Sequence, residues 1–307
     1  MTLNYNSSSE LKAFLEQEGL GMQKKFGQNF LVDANAKRIL VEALGVKAGD
    51  EVWEIGPGLG AMTALLLENG IKVKAFEIDK GFIRILKEIF KDNKNFCLIE
   101  GDVMKTWKEN QLRSPQETYF FGNLPYNIAA ALLADFIEKG RIFPRMVVTV
   151  QKEVALRMAA KAGSPDYSSF SVLCASVYDV KTLMTISPSS FYPQPNVDSM
   201  GVLLERRQQM LSNQEYPSFF YPLVRSLFES RRKTLKNNLL NFLSSRLNQL
   251  NASNVKEICD TILCDNSLNG SERAEKLDFE AFLSLAKTID NMRLLNSDVN
   301  CRKYSEN

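Results

Sequence analysis

Residues 51–60 constrain the fold more than any other stretch of this chain. Glu51-Val-Trp-Glu-Ile-Gly56 reads as a buried strand that passes directly into Gly56-Pro57-Gly58-Leu59-Gly60. Met62, Leu65, Leu66 and Leu67 then mark a helix, stopped by Asn69-Gly70. Strand, glycine loop and helix together open a nucleotide-binding α/β fold, because glycines let the backbone approach a ligand closely. A second apolar run, Ile71 to Phe76, ends in Glu77-Ile78-Asp79, and Glu77 lies 21 residues beyond Gly56. An acid there is placed to accept hydrogen bonds from ribose hydroxyls. A third strand, Asn95 to Glu100, leads into Gly101-Asp102-Val103, where Asp102 can reach an adenine amino group. A dinucleotide enzyme also fits a lone glycine loop, but Glu54 would repel a pyrophosphate and suits a cationic ligand. The alternative, that Glu54, Glu77 and Asp102 are ordinary surface acids, is at odds with their placement at successive strand ends.

Phe121-Gly122-Asn123-Leu124-Pro125-Tyr126-Asn127 carries the second signal. An Asn-apolar-Pro-aromatic tetrad has the groups needed to methylate the exocyclic amine of adenine. That nitrogen is a poor nucleophile because its lone pair is delocalised into the ring. A side-chain amide oxygen (Asn123) and a backbone carbonyl (Leu124) can accept its two protons and draw the lone pair out of the plane. Tyr126 can stack on the base. Proline holds φ near about −65°, which stiffens the turn and aims the carbonyls. An ordinary turn after a strand is the competing reading of the tetrad alone.

Strands are expected near 51–56, 71–76, 95–100, 117–122 and 145–151, with helices between them. Glu10 to Glu18 and a segment from Asp33 to Leu44 read as earlier helices, the second capped by Asp33 and ended by Gly45. Gln151 to Lys161 and Ser168 to Tyr178 are expected to be helical. Val180 to Ile186 and Met200 to Glu205 read as an antiparallel edge hairpin across a proline-rich loop. Beyond Glu205 the period becomes helical, with Phe219, Leu223, Leu227 and Phe228, then Leu235, Leu239, Leu240 and Leu243, and two more helices near 253–264 and 277–290. The expected fold is α/β: a Rossmann-like methyltransferase sheet with an antiparallel edge hairpin over residues 1–205, a small all-α domain over 206–291, and a polar, disordered tail over 292–307.

Composition narrows the chemistry. The 307 residues contain no histidine, which removes His-based triads, bases and metal sites. The five cysteines (Cys97, Cys174, Cys259, Cys264, Cys301) show no metal-like pairing, so no metal is expected, and their scatter suits a reducing cytosol. The first ten residues lack a basic and an apolar signal region, and no apolar run approaches the ~20 residues of a membrane span. A cytoplasmic protein is expected. The net charge is only +2, yet residues 206–250 carry +6, leaving −4 on the rest. Arg231, Arg232, Lys233 and Lys236 form its compact centre and are the candidate RNA-binding residues, with a solvated helix face as the alternative.

Together with Lys24-Lys25-Phe26-Gly27-Gln28-Asn29-Phe30-Leu31 and Phe191-Tyr-Pro-Gln-Pro-Asn-Val-Asp-Ser199, these motifs resemble the bacterial small-subunit (16S) ribosomal RNA adenine dimethyltransferase family, whose members confer kasugamycin sensitivity. The resemblance spans about residues 20 to 290. It implies S-adenosyl-L-methionine as cofactor and two methyl groups on each of two adjacent adenines near the 3′ end of small-subunit rRNA, within a pre-ribosomal particle, by a monomeric enzyme. Carried over, Asn29 and Leu31 would close over the cofactor, Gly56 would meet its methionine portion, Glu77 its ribose and Asp102 its adenine, with Gly58, Ile78 and Val103 beside them. Asn123 would touch both cofactor and target amine, Leu124 would offer its carbonyl, and Tyr126 and Phe191 would sandwich the base. A core aromatic is the competing reading of Phe191. The chain departs from the family at Ala129, usually Ser, and at Ser168, usually Gly. Rival readings are a large-subunit dimethyltransferase of the macrolide-resistance type, a DNA adenine methyltransferase and a non-enzymatic ribosome assembly factor. Leu124, where the first rival more often has Ile, mildly favours the small subunit, and the intact tetrad argues against a purely binding role.

Overall fold

The computed structural model describes residues 3–21, 28–110, 118–207, 216–247 and 252–294. Lys24, Lys25, Cys301 and nearly all of the expected tail lie outside these residues. The Ser7 hydroxyl accepts the Glu10 amide at 3.3 Å and starts helix α1 (Ser8–Gln17). A two-residue strand, β1 (Phe30–Leu31), precedes α2 (Ala34–Leu44), which Asp33 caps through the Ala36 amide and Gly45 ends at φ 65°. Strand and helix then alternate: β2 (Glu51–Ile55), α3 (Ala61–Glu68), β3 (Lys72–Glu77), α4 (Lys80–Ile89), β4 (Phe96–Glu100), α5 (Val103–Thr106), β5 (Thr118–Asn123), α6 (Ala129–Glu138), β6 (Arg145–Gln151) and α7 (Lys152–Ala159). Next come α8 (Ser169–Ala175), β7 (Tyr178–Ile186), β8 (Phe191–Tyr192) and β9 (Ser199–Arg206). Helices α9 (Phe220–Glu229), α10 (Leu235–Ser244), α11 (Ala252–Asp265) and α12 (Phe279–Asn291) complete the chain.

The main sheet has the order β4-β3-β2-β5-β6-β9-β7. Its first five strands are parallel, and β9 runs antiparallel to both β6 and β7. The expected hairpin is therefore present, with β7 rather than β9 at the edge. One face buries Val52, Val73, Phe121, Val147 and Leu203 under Leu40 and Leu44 of α2 and Leu66 of α3. The other buries an aromatic cluster, with Trp53 4.9 Å from Phe76 and 5.6 Å from Phe143, and Phe120 5.4 Å from Phe136. Burial on both faces explains why Met146 to Val150 of β6 read as a nearly continuous apolar run rather than an alternating one. A second sheet pairs β1 with β8 antiparallel, matching Phe30 with Tyr192 and Leu31 with Phe191.

The chain divides into two units, residues 1–159 with 178–207, and residues 160–177 with 208–307. The division at 205/206 drawn from periodicity thus differs at the excursion 160–177. Tyr167 and Val172 are buried in the helical core with Leu223, Leu239 and Phe282. The Tyr167 hydroxyl donates to the Leu277 carbonyl at 3.0 Å, and the Tyr216 hydroxyl to the Ser176 carbonyl at 2.8 Å. Both bonds tie down segments that lack a long apolar period. The helix expected over Ser168–Tyr178 is shorter, ending at Ala175, and β7 begins two residues earlier than its apolar run suggests.

Thr149 is fully buried in β6, and its hydroxyl has no hydrogen-bond partner among the described residues. An unsatisfied buried hydroxyl costs about 1–3 kcal/mol, and valine has nearly the same shape. Thr149→Val is expected to raise the unfolding free energy by roughly 1 kcal/mol or more in urea titration, with no change in the denaturant slope.

Candidate active site

The strand order reverses between β2 and β5, so their carboxyl ends diverge into helices on opposite sides and leave a crevice. A cavity of about 290 Å³ lies there. Gly56 and Gly58 line it from the loop after β2, Glu77 and Ile78 from the end of β3, Asp102 and Val103 from the end of β4, and Asn123 from the end of β5. Asn29 and Leu31 line it from the N-terminal segment, and Glu54 from inside β2. The nine cofactor candidates therefore share one cavity wall.

The N-terminal segment is fastened by contacts that no local pattern reveals. The Gln28 side chain donates to Asp79 at 2.9 Å, and Asp79 itself caps α4 through the Gly81 amide at 2.8 Å. Phe30 meets Phe82 edge-on at 5.5 Å and lies across Gly58. Gly58 sits at φ 58°, and a Cβ there would fall 2.6 Å from the Phe30 ring, so close packing and backbone conformation both require glycine. Gln28, Phe30 and Asp79 join the site beyond the residues that the sequence singles out, although the motifs Gln28-Asn29-Phe30 and Glu77-Ile78-Asp79 contain them.

Two buried carboxylates dominate the cavity's electrostatics. Glu54 is 2% exposed and accepts the Thr63 hydroxyl at 2.6 Å. Glu77 is 5% exposed and accepts the amides of Gly58 at 3.2 Å and of Ile78 and Asp79 at 2.9 Å. Neither forms an ion pair with a basic side chain among the described residues. Burial pushes Glu54 up to about 7 against the pull of Thr63, and the nearby Glu77 adds to the rise. Burial likewise pushes Glu77 up to about 7, with its three amide donors opposing. Asp102 is half-buried and caps α5 through the Met104 amide at 2.9 Å.

The tetrad forms the turn between β5 and α6. The Leu124 amide donates to the Thr149 carbonyl at 3.0 Å, and the amides of Ile128 and Ala129 both donate to the Pro125 carbonyl at 3.1 Å. The Asn123 side-chain nitrogen donates to the Asn29 carbonyl at 2.7 Å, which fixes the amide and leaves its oxygen without a donor among the described residues. The Leu124 carbonyl is also without a donor among those residues, while its side chain is buried over Gly122. Tyr126 is half-buried and shares a hydrogen bond of 2.6 Å with the Ser199 hydroxyl. Burial raises its phenol above the ordinary range, with the Ser199 bond opposing. Leu124 and Tyr126 flank the cavity without lining it, whereas Pro125 does line it.

Phe191 departs from the expectation that it offers a stacking face. It is 1% exposed in the core with Leu31 and Val147, because the pairing of β8 with β1 turns it inward. In this arrangement it is a core aromatic that secures the N-terminal strand. The basic residues of the helical unit also divide. Arg231 bonds the Pro165 carbonyl and Glu275, each at 3.1 Å, and Lys236 pairs with Asp260. Arg232 and Lys233 are exposed and form no ion pair among the described residues.

The raised pKa of Glu54 makes stability depend on pH. Below about 4.5 the carboxyl is neutral in both folded and unfolded chains, so folding bears no penalty. Between about 4.5 and 7 the folded chain binds more protons, and above about 7 the full penalty is present. Glu54→Gln keeps an acceptor for Thr63 and is expected to stabilise the fold at pH 8 relative to wild type, by up to about 3 kcal/mol, with the difference shrinking towards pH 5. Thermal unfolding across that range checks it; a gain that does not depend on pH would show that Glu54 is ionised at ordinary carboxylate pH.

The sequence profile of the family described as ribosomal RNA adenine dimethylase matches residues 19–284. The chain is 46% identical to the ribosomal RNA small subunit methyltransferase A of Treponema denticola over 94% of its own length and 97% of the relative's. It is 38% identical to the protein of the same name from Borreliella burgdorferi, over 94% and 96% of the two chains. Among solved structures, it resembles a dimethyladenosine transferase from Plasmodium falciparum at 27% identity, with a TM-score of 0.70 over 84% of this chain and 96% of that one. The 23S rRNA methyltransferase ErmE shares the fold at 20% identity, with a TM-score of 0.61 over 85% and 99%. With its glycine loop, strand-end acids and tetrad gathered around one crevice, this chain belongs to the ribosomal RNA adenine dimethylase family.

Proposed function

We propose that the protein dimethylates the N6 amines of two adjacent adenines near the 3′ end of small-subunit rRNA, using S-adenosyl-L-methionine, on a pre-ribosomal particle. The observation that carries this reading is the meeting, in one cavity, of an anchored Asn123 amide with two buried carboxylates that lack a basic partner among the described residues. A cationic ligand is what such a cavity needs, because it supplies the missing countercharge. The cofactor provides an electrophilic methyl group on a positively charged sulfur, so neither a metal nor a covalent nucleophile is required. Glu77, held by three backbone amides, is oriented to accept ribose hydroxyls, and Asp102 the adenine amine. The Asn123 oxygen and the Leu124 carbonyl accept the protons of the target amine and turn its lone pair towards the methyl. Tyr126 stacks on the extruded base. These residues act on an entropy problem: they hold nitrogen, carbon and sulfur in line. The monomethylated amine returns to the same acceptors with one proton left. Action as a monomer and exposure of Arg232 and Lys233 to rRNA phosphates belong to the same reading.

Tyr126→Ala is expected to keep most cofactor affinity and to lose most methyl transfer, since base–aromatic stacking contributes about 1–3 kcal/mol. Asn123→Ala should damage both. Glu77→Ala should weaken the cofactor by roughly 1.5–3 kcal/mol in calorimetry. Wild-type turnover by Tyr126→Ala on precursor small subunits would remove the tetrad from the mechanism, and preference of the protein for NAD would remove the cofactor. Methyl mapping of rRNA from a deletion strain separates small-subunit from large-subunit targets.

The two exposed cations allow a sharper test of RNA contact than the whole basic cluster does. Arg232→Gln with Lys233→Gln should lower the salt slope of small-subunit binding by up to about 2 in filter-binding titrations and leave unfolding unchanged. Arg231→Gln should instead destabilise the helical unit by roughly 1 kcal/mol, because it frees the Pro165 and Glu275 contacts.

A further inference from the structure

The tetrad's tyrosine is held at both ends. Its backbone follows Pro125, whose carbonyl accepts hydrogen bonds from the Ile128 and Ala129 amides at the start of α6. Its hydroxyl meets Ser199 at 2.6 Å. Ser199 is fully buried and is the first residue of β9, paired with Gln151 of β6 on one side and Ile186 of β7 on the other. The Lys152 amide donates to the carbonyl of the preceding Asp198 at 3.0 Å, which fixes the approach to the strand. The serine hydroxyl is thus mounted on a part of the sheet that cannot shift without breaking pairing on two sides. A tyrosine's ring torsion lies in a broad well, so a ring tethered only at Cα rocks, whereas one bonded through its hydroxyl does not.

Resting on the stacking role proposed above, we propose that Ser199 is a positioning residue which fixes the plane of Tyr126, and that the second methyl transfer depends on it more than the first. In the first transfer the target amine has two protons, and both acceptors, Asn123 and the Leu124 carbonyl, orient the base. After one methylation a single proton remains for the two acceptors. Orientation then rests more heavily on the stacking surface, and a rocking ring costs more at that step. The Tyr126–Ser199 bond is in this view a device for completing dimethylation rather than for starting it.

The test measures monomethyl- and dimethyladenosine separately, by mass spectrometry of digested rRNA from timed reactions of the full chain with precursor small subunits. The variants are Ser199→Ala, Tyr126→Phe and the two combined. Each single change should slow the second transfer roughly three- to tenfold more than the first, so that monomethyladenosine accumulates. The double variant should be no worse than either single one, because both remove the same bond. Cofactor affinity should be unchanged in all three. A wild-type product ratio in Tyr126→Phe, or a double variant whose effect is the product of the singles, overturns the proposal. If Ser199→Ala does not fold, Tyr126→Phe decides alone, since its half-buried ring is retained. Tyr126→Ala separates this idea from the reading beneath it: a fully active Tyr126→Ala removes the stacking role itself, whereas an inactive one beside an unaltered Tyr126→Phe removes only the role of Ser199.

Discussion

Everything at the cavity depends on the parallel pairing of β2 with β5. Glu54 lies opposite Phe121 and Ile55 opposite Gly122, so the glycine loop and Asn123 leave the sheet side by side. One slip in this register would move Asn123 to the other face. Continuous burial on both faces of β2 specifies that register, because Val52 and Trp53 fill different cores. The catalytic geometry is in this sense a by-product of core packing, and neither strand need be long to secure it.

The price of the arrangement is the burial of two acids with no basic partner among the described residues, and the structure limits that cost with neutral donors. A hydroxyl serves Glu54, and three amides serve Glu77. Those donors also stiffen the loop that approaches the ligand. Burial outweighs those donors and leaves both groups raised to about 7, so a cationic ligand and the ionised carboxylates favour one another. Ligand affinity should therefore fall as pH drops through neutrality.

The parts of the fold legible in the sequence are those whose signal is local. The glycine loop, the acids at strand ends, the Asp33 cap and the hairpin of β7 and β9 each occupy a short window with a clear period or turn residue. The pairing of β1 with β8 does not: each strand has two residues, and they lie about 160 positions apart. Without that pairing, Phe191 reads as a stacking face, with a core ring as the lesser alternative. Ser199 belongs to a visible motif, yet only the sheet brings it to Tyr126. In the basic cluster, periodicity marks charge but not its partners, and Glu275 and Asp260, which engage Arg231 and Lys236, sit far along the chain.

The excursion at residues 160–177 has a consequence for how the chain is made. A ribosome releases Tyr167 and Val172 more than a hundred residues before α12, with whose Phe282 and Leu285 they share a core. Meanwhile β7 and β9, which follow the excursion, must join β6 to finish the sheet. The nascent methyltransferase unit therefore closes around its own strands while holding out an apolar loop that has no core yet. Synthesis has a vulnerable interval there, during which Tyr167 and Val172 await the rest of the helical unit.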